Sequence, residues 1–342
     1  MVKPYDLHLP PSSPTLKKPR PFLLFGTLFL CSLLVGCNEN FDPRAPLQDQ
    51  MLVYSVLSTD RETQLVRVER NYMPPEFNPL SFDRSTFLSD AIVTIRESNK
   101  VFRLRDTSFA RTDTSRYSFP LKTFYANPLT PLRGRTYQVI IQSPSQGQIN
   151  ATTTIPDKAI ISLPAEMIQP IDRPDRFVQD ARIVFIVQLS KHAKGYLGRF
   201  YLYYDVLKGN EWVEERAEIP VSSADMDHYS LTEPQYPKLA AAAGTSQLGL
   251  IYMNGYYKAV INALNSRYSS TRLIFKWAVL VLLQADQNLF KYYRGSHNAE
   301  DPFSTRLDEP MISTVDGGLG MVGSYSLDSL VTILPENFWG NR

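Results

Sequence analysis

The chain has 342 residues, with 36 lysine and arginine side chains against 34 aspartate and glutamate side chains and a formal net charge of +2. Four of the basic and one of the acidic residues precede position 37, so the rest of the chain has 32 basic and 33 acidic side chains. This balance excludes the excess of positive charge that is typical of a nucleic-acid-binding protein. Both cysteines, Cys31 and Cys37, lie near the N-terminus, which excludes a disulfide framework and a cysteine metal site from everything that follows.

The first element in chain order is a targeting segment. Three basic residues precede an apolar run over 22–35, which ends in Gly36 directly before Cys37. This order resembles the lipobox of bacterial lipoproteins, which implies that residues 1–36 are a signal peptide and that Cys37 carries lipid. The alternatives are a plain signal peptide or a membrane helix, although the run is shorter than the ~20 residues that a membrane span needs.

A polar tether and a β-sandwich are predicted next. Residues 37–49 are polar and contain two prolines, which is typical of a flexible spacer. Between 48 and 156, short apolar or alternating runs separated by turn residues predict an immunoglobulin-like or fibronectin-III-like sandwich. Ser98-Asn99-Lys100 lies between two such runs and predicts a hairpin. The stretch Leu132–Tyr137 resembles the corner of these folds, where a tyrosine hydroxyl bonds back to nearby backbone.

A second β-rich domain is predicted over 178–336, after a proline-containing linker at 157–177. It holds one predicted short helix, over 286–294, which Asp286 would cap. Residues 218–244 contain three prolines and are expected to form a long surface excursion. Strands are predicted at 181–187, 198–207, 248–253, 256–264 and 272–283. The fold class is therefore mainly β throughout.

Three sequence blocks resemble one family. They are the lipobox with its sandwich, the closing strand over 147–156, and a C-terminal block with paired tyrosines at 292 and 293, Asp-Pro-Phe at 301–303 and a glycine-rich strand over 317–325. Together they resemble the Bacteroidota outer-membrane lipoproteins that carry domain of unknown function 4249. The resemblance implies a lipid anchor on either face of the outer membrane and a TonB-dependent β-barrel receptor as partner. It implies no chemistry.

Three motifs resemble sites for chemistry, but none meets the requirements of its site. Residues 318–323 match the glycine spacing of a dinucleotide site, but no helix can follow them, so a strand is expected. Asp225, Asp227 and His228 offer too few ligands for a metal site and indicate an acidic loop. Glu214 and Glu215 would point to opposite faces of a strand, so they cannot act together as a glycosidase pair. We therefore expect no cofactor, no metal and no catalytic residue.

The densest aromatic cluster marks the candidate binding surface. On a strand, Phe200, Leu202, Tyr204 and Val206 would share one face, and Tyr201 and Tyr203 the other. The first set is expected in the core, whereas Tyr201, Tyr203 and the nearby Trp212 are candidates for a partner surface. The sequence thus favours a non-enzymatic binding or accessory lipoprotein. A hydrolase, carbohydrate-active or other, with a site assembled by the fold and a structural or adhesive envelope module stay open as alternatives.

Overall fold

Strands account for most of the residues that the computed structural model describes, which are 47–73, 84–115, 118–164, 182–225, 229–242, 247–268, 272–297 and 313–333. The mainly β fold class is therefore confirmed. The predicted signal segment and residues 37–46 of the predicted tether, with Cys37, lie outside the described residues, as do residues 165–181 around the predicted linker. Neither helix within the described ranges has the length and hydropathy that a membrane-spanning helix requires.

The N-terminal strands form the predicted sandwich. One layer is a four-stranded sheet in the order β4-β3-β7-β8, and the other is β1-β2-β6-β5, one end of a nine-stranded sheet. Val53, Val66, Ile95 and Ile149 from both layers are buried in one core. The bounds are β1 Met51–Ser58, β2 Gln64–Arg70, β3 Ile92–Glu97, β4 Lys100–Arg103, β5 Arg105–Phe109, β6 Leu121–Ala126, β7 Thr136–Ser143 and β8 Gly147–Thr154.

The tyrosine corner is present. The Tyr137 side chain is fully buried, and its hydroxyl accepts a hydrogen bond of 2.8 Å from the backbone N–H of Leu132. Burial also raises the pKa of this hydroxyl. The predicted hairpin is also confirmed: Glu97 pairs with Lys100, which leaves Ser98 and Asn99 as the two-residue turn.

We expect Tyr137→Phe to lower the free energy of unfolding by about 1–3 kcal/mol, because it leaves the Leu132 N–H without its acceptor. Urea unfolding followed by circular dichroism measures this. The matched control is Tyr196→Phe, since the half-buried Tyr196 has no hydrogen bond from its hydroxyl to the described residues. Equal stability of the two variants would show that the corner hydrogen bond contributes nothing.

The second half packs a small sheet and a helix on the rest of the large sheet. Strands β12-β11-β15-β16, together with β13, which pairs with β11, complete the nine-stranded sheet, and the three-stranded sheet β14-β10-β9 lies against them. Phe185, Phe200 and Tyr252 meet in this second core, with ring centroids of Phe185 and Phe200 5.2 Å apart. The bounds are β9 Ile160–Ser162, β10 Arg182–Gln188, β11 Gly195–Lys208, β12 Glu211–Glu218, β13 Ala240–Ala241, β14 Gln247–Met253, α1 Asn254–Arg267, β15 Leu273–Ala285, α2 Gln287–His297 and β16 Leu319–Thr332.

One of the predicted strands is wrong. Residues 256–264 belong to helix α1, so the second half has two helices among the described residues rather than one. The apolar side chains recur at helical spacing and face the core: Tyr256, Tyr257, Val260, Ile261 and Leu264 are all buried. The N-cap residue, Met253, makes no side-chain hydrogen bond, so the usual sequence signal for a helix start is missing.

Helix α2 matches its prediction, and Asp286 caps it. The Asp286 carboxylate accepts hydrogen bonds from the backbone N–H of Leu289, at 2.9 Å, and from the Thr153 hydroxyl, at 2.7 Å. Burial raises the pKa of this carboxyl, whereas these hydrogen bonds oppose the rise. Because Thr153 lies on β8 and Asp286 follows β15, the cap also ties the two halves together.

A single sheet runs through both predicted domains. β16, near the C-terminus, pairs in parallel with β1 from Leu52–Leu319 to Ser58–Tyr325, and further along it pairs antiparallel with β15. The two cores are nevertheless separate, one built mainly from residues 51–155 and the other from 159–282. An Arg133–Asp328 ion pair of 2.5 Å joins the sandwich corner to β16 near this junction. The proposed domain boundary at 157–177 stays a prediction.

Candidate functional site

The candidate site is the outward side of strands β11, β12 and β15. Along β11, Phe200, Leu202 and Tyr204 are buried in the second core. The alternating residues Tyr201 and Tyr203 therefore point away from it. We call the surface formed by Tyr201, Tyr203, Trp212 and Trp277 the aromatic face.

Arg216 connects two rings of the aromatic face. Its guanidinium carbon lies 4.5 Å from the Tyr201 ring centroid, and its Nη1 donates a hydrogen bond of 3.3 Å to the Tyr203 hydroxyl. Cation–π contacts of this kind hold a ring in one orientation. Tyr201 is only 8% exposed, and burial, with the nearby Glu218 carboxylate, raises the pKa of its hydroxyl.

A β-bulge adds Trp277 to the aromatic face. The pairing of β11 with β15 shifts by one residue between Tyr203 and Tyr204, so that Lys276 has no partner across the strands. Such bulges redirect side chains. Trp277 stacks on Tyr203 with ring centroids 6.3 Å apart, and the Lys276 ammonium lies 4.2 Å from the Trp277 ring centroid.

The charged groups around these rings are paired. The Lys276 ammonium lies 2.7 Å from a Glu214 oxygen and 3.4 Å from an Asp205 oxygen. Arg199 pairs with Glu218 at 2.8 Å. The aromatic face is therefore close to neutral, and it lies at the end of the large sheet because β12 is an edge strand.

The three aromatic residues selected from the sequence differ in exposure. Trp212 is 48% exposed, Tyr203 is half-buried, and Tyr201 is covered by Arg216, so the expectation that Tyr201 is an exposed anchor is wrong. Trp277 was missed, since it lies in an apolar run that reads as a buried strand. Lys276, a charge inside that run, was the only signal that the run reaches the surface.

The paired glutamates have separate structural roles. Glu214 points to the aromatic face and pairs with Lys276, as described above. Glu215 lies on the opposite side, 2.5 Å from the Lys208 ammonium, and accepts a hydrogen bond of 3.2 Å from the Tyr204 hydroxyl. The Lys208 hydrogen bond lowers the pKa of Glu215, and burial with the Glu215 charge raises that of Tyr204 to about 12. The prediction that these carboxylates do not converge is confirmed.

The glycine-rich segment is a strand, as predicted. Gly320 has φ of +116°, and a Cβ there would overlap the Val53 carbonyl oxygen of β1. At Gly323 a Cβ would meet the backbone of Leu289 in α2. The glycines thus permit close backbone packing rather than phosphate binding.

No group of histidine, cysteine, aspartate and glutamate side chains within the described ranges could hold a metal ion. Of the loop weighed for metal binding, Asp225 is described, whereas Asp227 and His228 lie outside the described residues.

One polar cluster, which the sequence did not indicate, contains the residue types of a serine hydrolase. His192 Nδ1 lies 3.1 Å from Asp157 Oδ2, and the Ser190 hydroxyl oxygen lies nearby. That oxygen instead accepts hydrogen bonds from the backbone N–H groups of Asp157 and His192, both at 3.1 Å. A nucleophilic serine would also donate a hydrogen bond to the histidine ring, and the described residues show none from the Ser190 hydroxyl to His192. The cluster therefore stabilises a turn.

Comparison with known proteins gives a family and no function. The model of a domain of unknown function, DUF4249, matches residues 38–330. A search of curated proteins finds no match.

Proposed function

The chain belongs to the DUF4249 family, a family of unknown function, and from its own surface we propose that it is a lipid-anchored binding or accessory protein of a bacterial cell envelope. Cys37 carries the lipid and holds the protein on the outer membrane of a Bacteroidota cell. The partner is a TonB-dependent β-barrel receptor, and the aromatic face contacts it.

The observation that carries this proposal is the exposure of Trp212 on the same sheet face as a fixed set of rings; Trp212 pairs with Leu207, four positions along β11 from Tyr203. Tyr203 and Trp277 are held in place by stacking and by Arg216 and Lys276, so that binding would cost these side chains little conformational entropy. An exposed tryptophan that shares a sheet face with ordered tyrosine and arginine has the residue types in which interface hot spots are enriched.

A protein is a better occupant of this face than a sugar. Trp212 has a free ring face that could stack on a sugar, but the other rings do not: Arg216 covers Tyr201, and Trp277 is covered by Tyr203 and Lys276. The paired charges make the surface neutral, which suits the apolar centre and polar rim of a protein interface.

A crosslinked pull-down from membranes tests the proposal. We expect the tagged wild-type protein to recover a β-barrel receptor, identified by mass spectrometry. Trp212→Ala should reduce that recovery at least tenfold, since a hot-spot tryptophan contributes about 2 kcal/mol or more. The matched control is Phe109→Ala, because Phe109 is 45% exposed on β5, the opposite edge strand of the same sheet.

Circular dichroism and thermal melting establish that both variants fold. If Trp212→Ala recovers as much receptor as wild type, the aromatic face is not the surface that contacts the receptor. Turnover of a glycan or peptide library by the purified protein, with no receptor recovered, would favour the hydrolase alternative instead.

A further inference from the structure

A cleft in the N-terminal sandwich holds two arginines with no assigned role. It measures about 220 Å³ and is lined by Phe102, Arg103, Arg105, Tyr125, Ala126, Asn127 and Pro128. This volume is below the 300–1,000 Å³ typical of sites for drug-sized ligands and matches a ligand of about one ring. The cleft lies where the chain passes from β4 in the four-stranded sheet to β5 in the nine-stranded sheet.

Leu104, the residue at which the chain passes between the two sheets, explains why both arginines line the same cleft. Leu104 is 6% exposed in the sandwich core, and its backbone N–H donates a hydrogen bond of 2.9 Å to the Val93 carbonyl. In an extended chain, residues on either side of an inward side chain point outward together. Arg103 and Arg105 are therefore fixed on the side opposite to Leu104.

Neither guanidinium has a carboxylate partner within the part of the chain that the structure describes. Other arginines do: Arg67 pairs with Glu69 at 2.6 Å and Arg199 pairs with Glu218 at 2.8 Å. Two like charges two positions apart repel each other, and an anion between them would remove that repulsion. Guanidinium groups match carboxylate and phosphate oxygens in bidentate geometry.

The remaining lining supplies contacts for a polar ring. Tyr125, which lies opposite Arg105 in the β5–β6 pairing, and Phe102, which packs only partly on the sandwich core, both line the cleft and offer it ring surface. The Asn127 amide donates a hydrogen bond to the Thr63 hydroxyl at 2.5 Å, which leaves its carbonyl oxygen as an acceptor for a ligand hydroxyl. The cleft thus combines cations for an oxyanion, ring surface and an acceptor.

We propose that this cleft binds a small anionic sugar, a sugar acid or a sugar phosphate, through its oxyanion. The oxyanion lies between Arg103 and Arg105, and the sugar ring contacts Tyr125 and Phe102. This site goes beyond the proposed receptor contact, because it is on other strands and uses other residues than the aromatic face.

Isothermal titration calorimetry of the purified protein tests the site with D-glucuronate, D-glucose 6-phosphate, D-glucose and inorganic phosphate. We expect saturable binding of glucuronate or glucose 6-phosphate, and at least tenfold weaker binding to Arg103→Gln/Arg105→Gln. D-glucose, which lacks the oxyanion, should not bind in the same concentration range. The two anionic sugars separate a carboxylate site from a phosphate site.

The matched control is Arg182→Gln/Arg272→Gln, which removes two exposed arginines from other parts of the chain and should bind like wild type. Circular dichroism establishes that both double variants fold. The site is overturned if no anionic sugar binds wild type, if D-glucose binds equally well, or if the control weakens binding as much as the cleft variant. If inorganic phosphate binds as tightly as glucose 6-phosphate, the cleft does not recognise the sugar. Trp212→Ala should bind these probes normally, so the outcome is independent of receptor contact.

Discussion

Cys37→Ser is expected to abolish attachment to the outer membrane. Without the thiol, no lipid can be added, and the protein should appear as uncleaved precursor in the inner membrane or as soluble protein. Two or three acyl chains give stable attachment where one chain gives only marginal binding. Membrane fractionation with immunoblotting, together with metabolic labelling by a palmitate analogue, measures both the location and the modification.

Cys31→Ser is the matched control, because Cys31 lies within the apolar run and should tolerate the same exchange. It should fractionate with the outer membrane and incorporate label like wild type. Wild-type fractionation of Cys37→Ser, or loss of label in both variants, would contradict the assignment of Cys37 as the lipid site.

Gly320→Ala is expected to destabilise the protein by more than about 3 kcal/mol, because it combines backbone strain with a clash. Gly320 has φ of +116°, and a Cβ would overlap backbone atoms of Val53 that cannot move away, since β1 pairs with β16 at this point. The variant should lose the β1–β16 pairing and with it the connection between the two halves of the large sheet. The midpoint of urea unfolding, followed by circular dichroism, reports the loss.

Gly147→Ala separates the two causes. Gly147 has φ of +89°, similarly unfavourable for alanine, but no atom lies within 4 Å of the position that a Cβ would take. In this variant only the backbone strain should lower the free energy of unfolding, by about 1–3 kcal/mol. Equal unfolding midpoints for Gly147→Ala and Gly320→Ala would show that the contact with Val53 adds nothing.

Local sequence patterns were sufficient to predict a residue's structural role where that role depends on its near neighbours in the chain. The hairpin at Ser98–Asn99, the corner bond from Leu132 to Tyr137 and the capping bond from Leu289 to Asp286 each join residues within five positions, and each feature was predicted. Helix α1 shows the opposite case. It lacks a side-chain cap, and its first turn holds a glycine and two tyrosines that favour strands, so core packing rather than local preference decides its structure.

The candidate surfaces were less predictable because they depend on pairings between distant segments. Trp212 was selected correctly as an exposed residue, but Tyr201 was not, since its cover, Arg216, comes from the neighbouring strand. Trp277 reaches the aromatic face only through the bulge opposite Tyr203. No sequence pattern indicated the cleft, because Arg103 and Arg105 flank Leu104 in what reads as one continuous strand.

The sequence by itself determined the near-neutral charge of the chain after position 37 and the alternation that builds most strands, and it alone predicts the signal segment with Cys37, because these properties depend on composition and on residues close in the chain. The tertiary structure alone decided that β16 joins β1 in parallel and that one sheet spans both cores. Backbone hydrogen bonding between strands is the same for any sequence, so the choice of partner rests on how buried side chains pack across segments far apart in the chain.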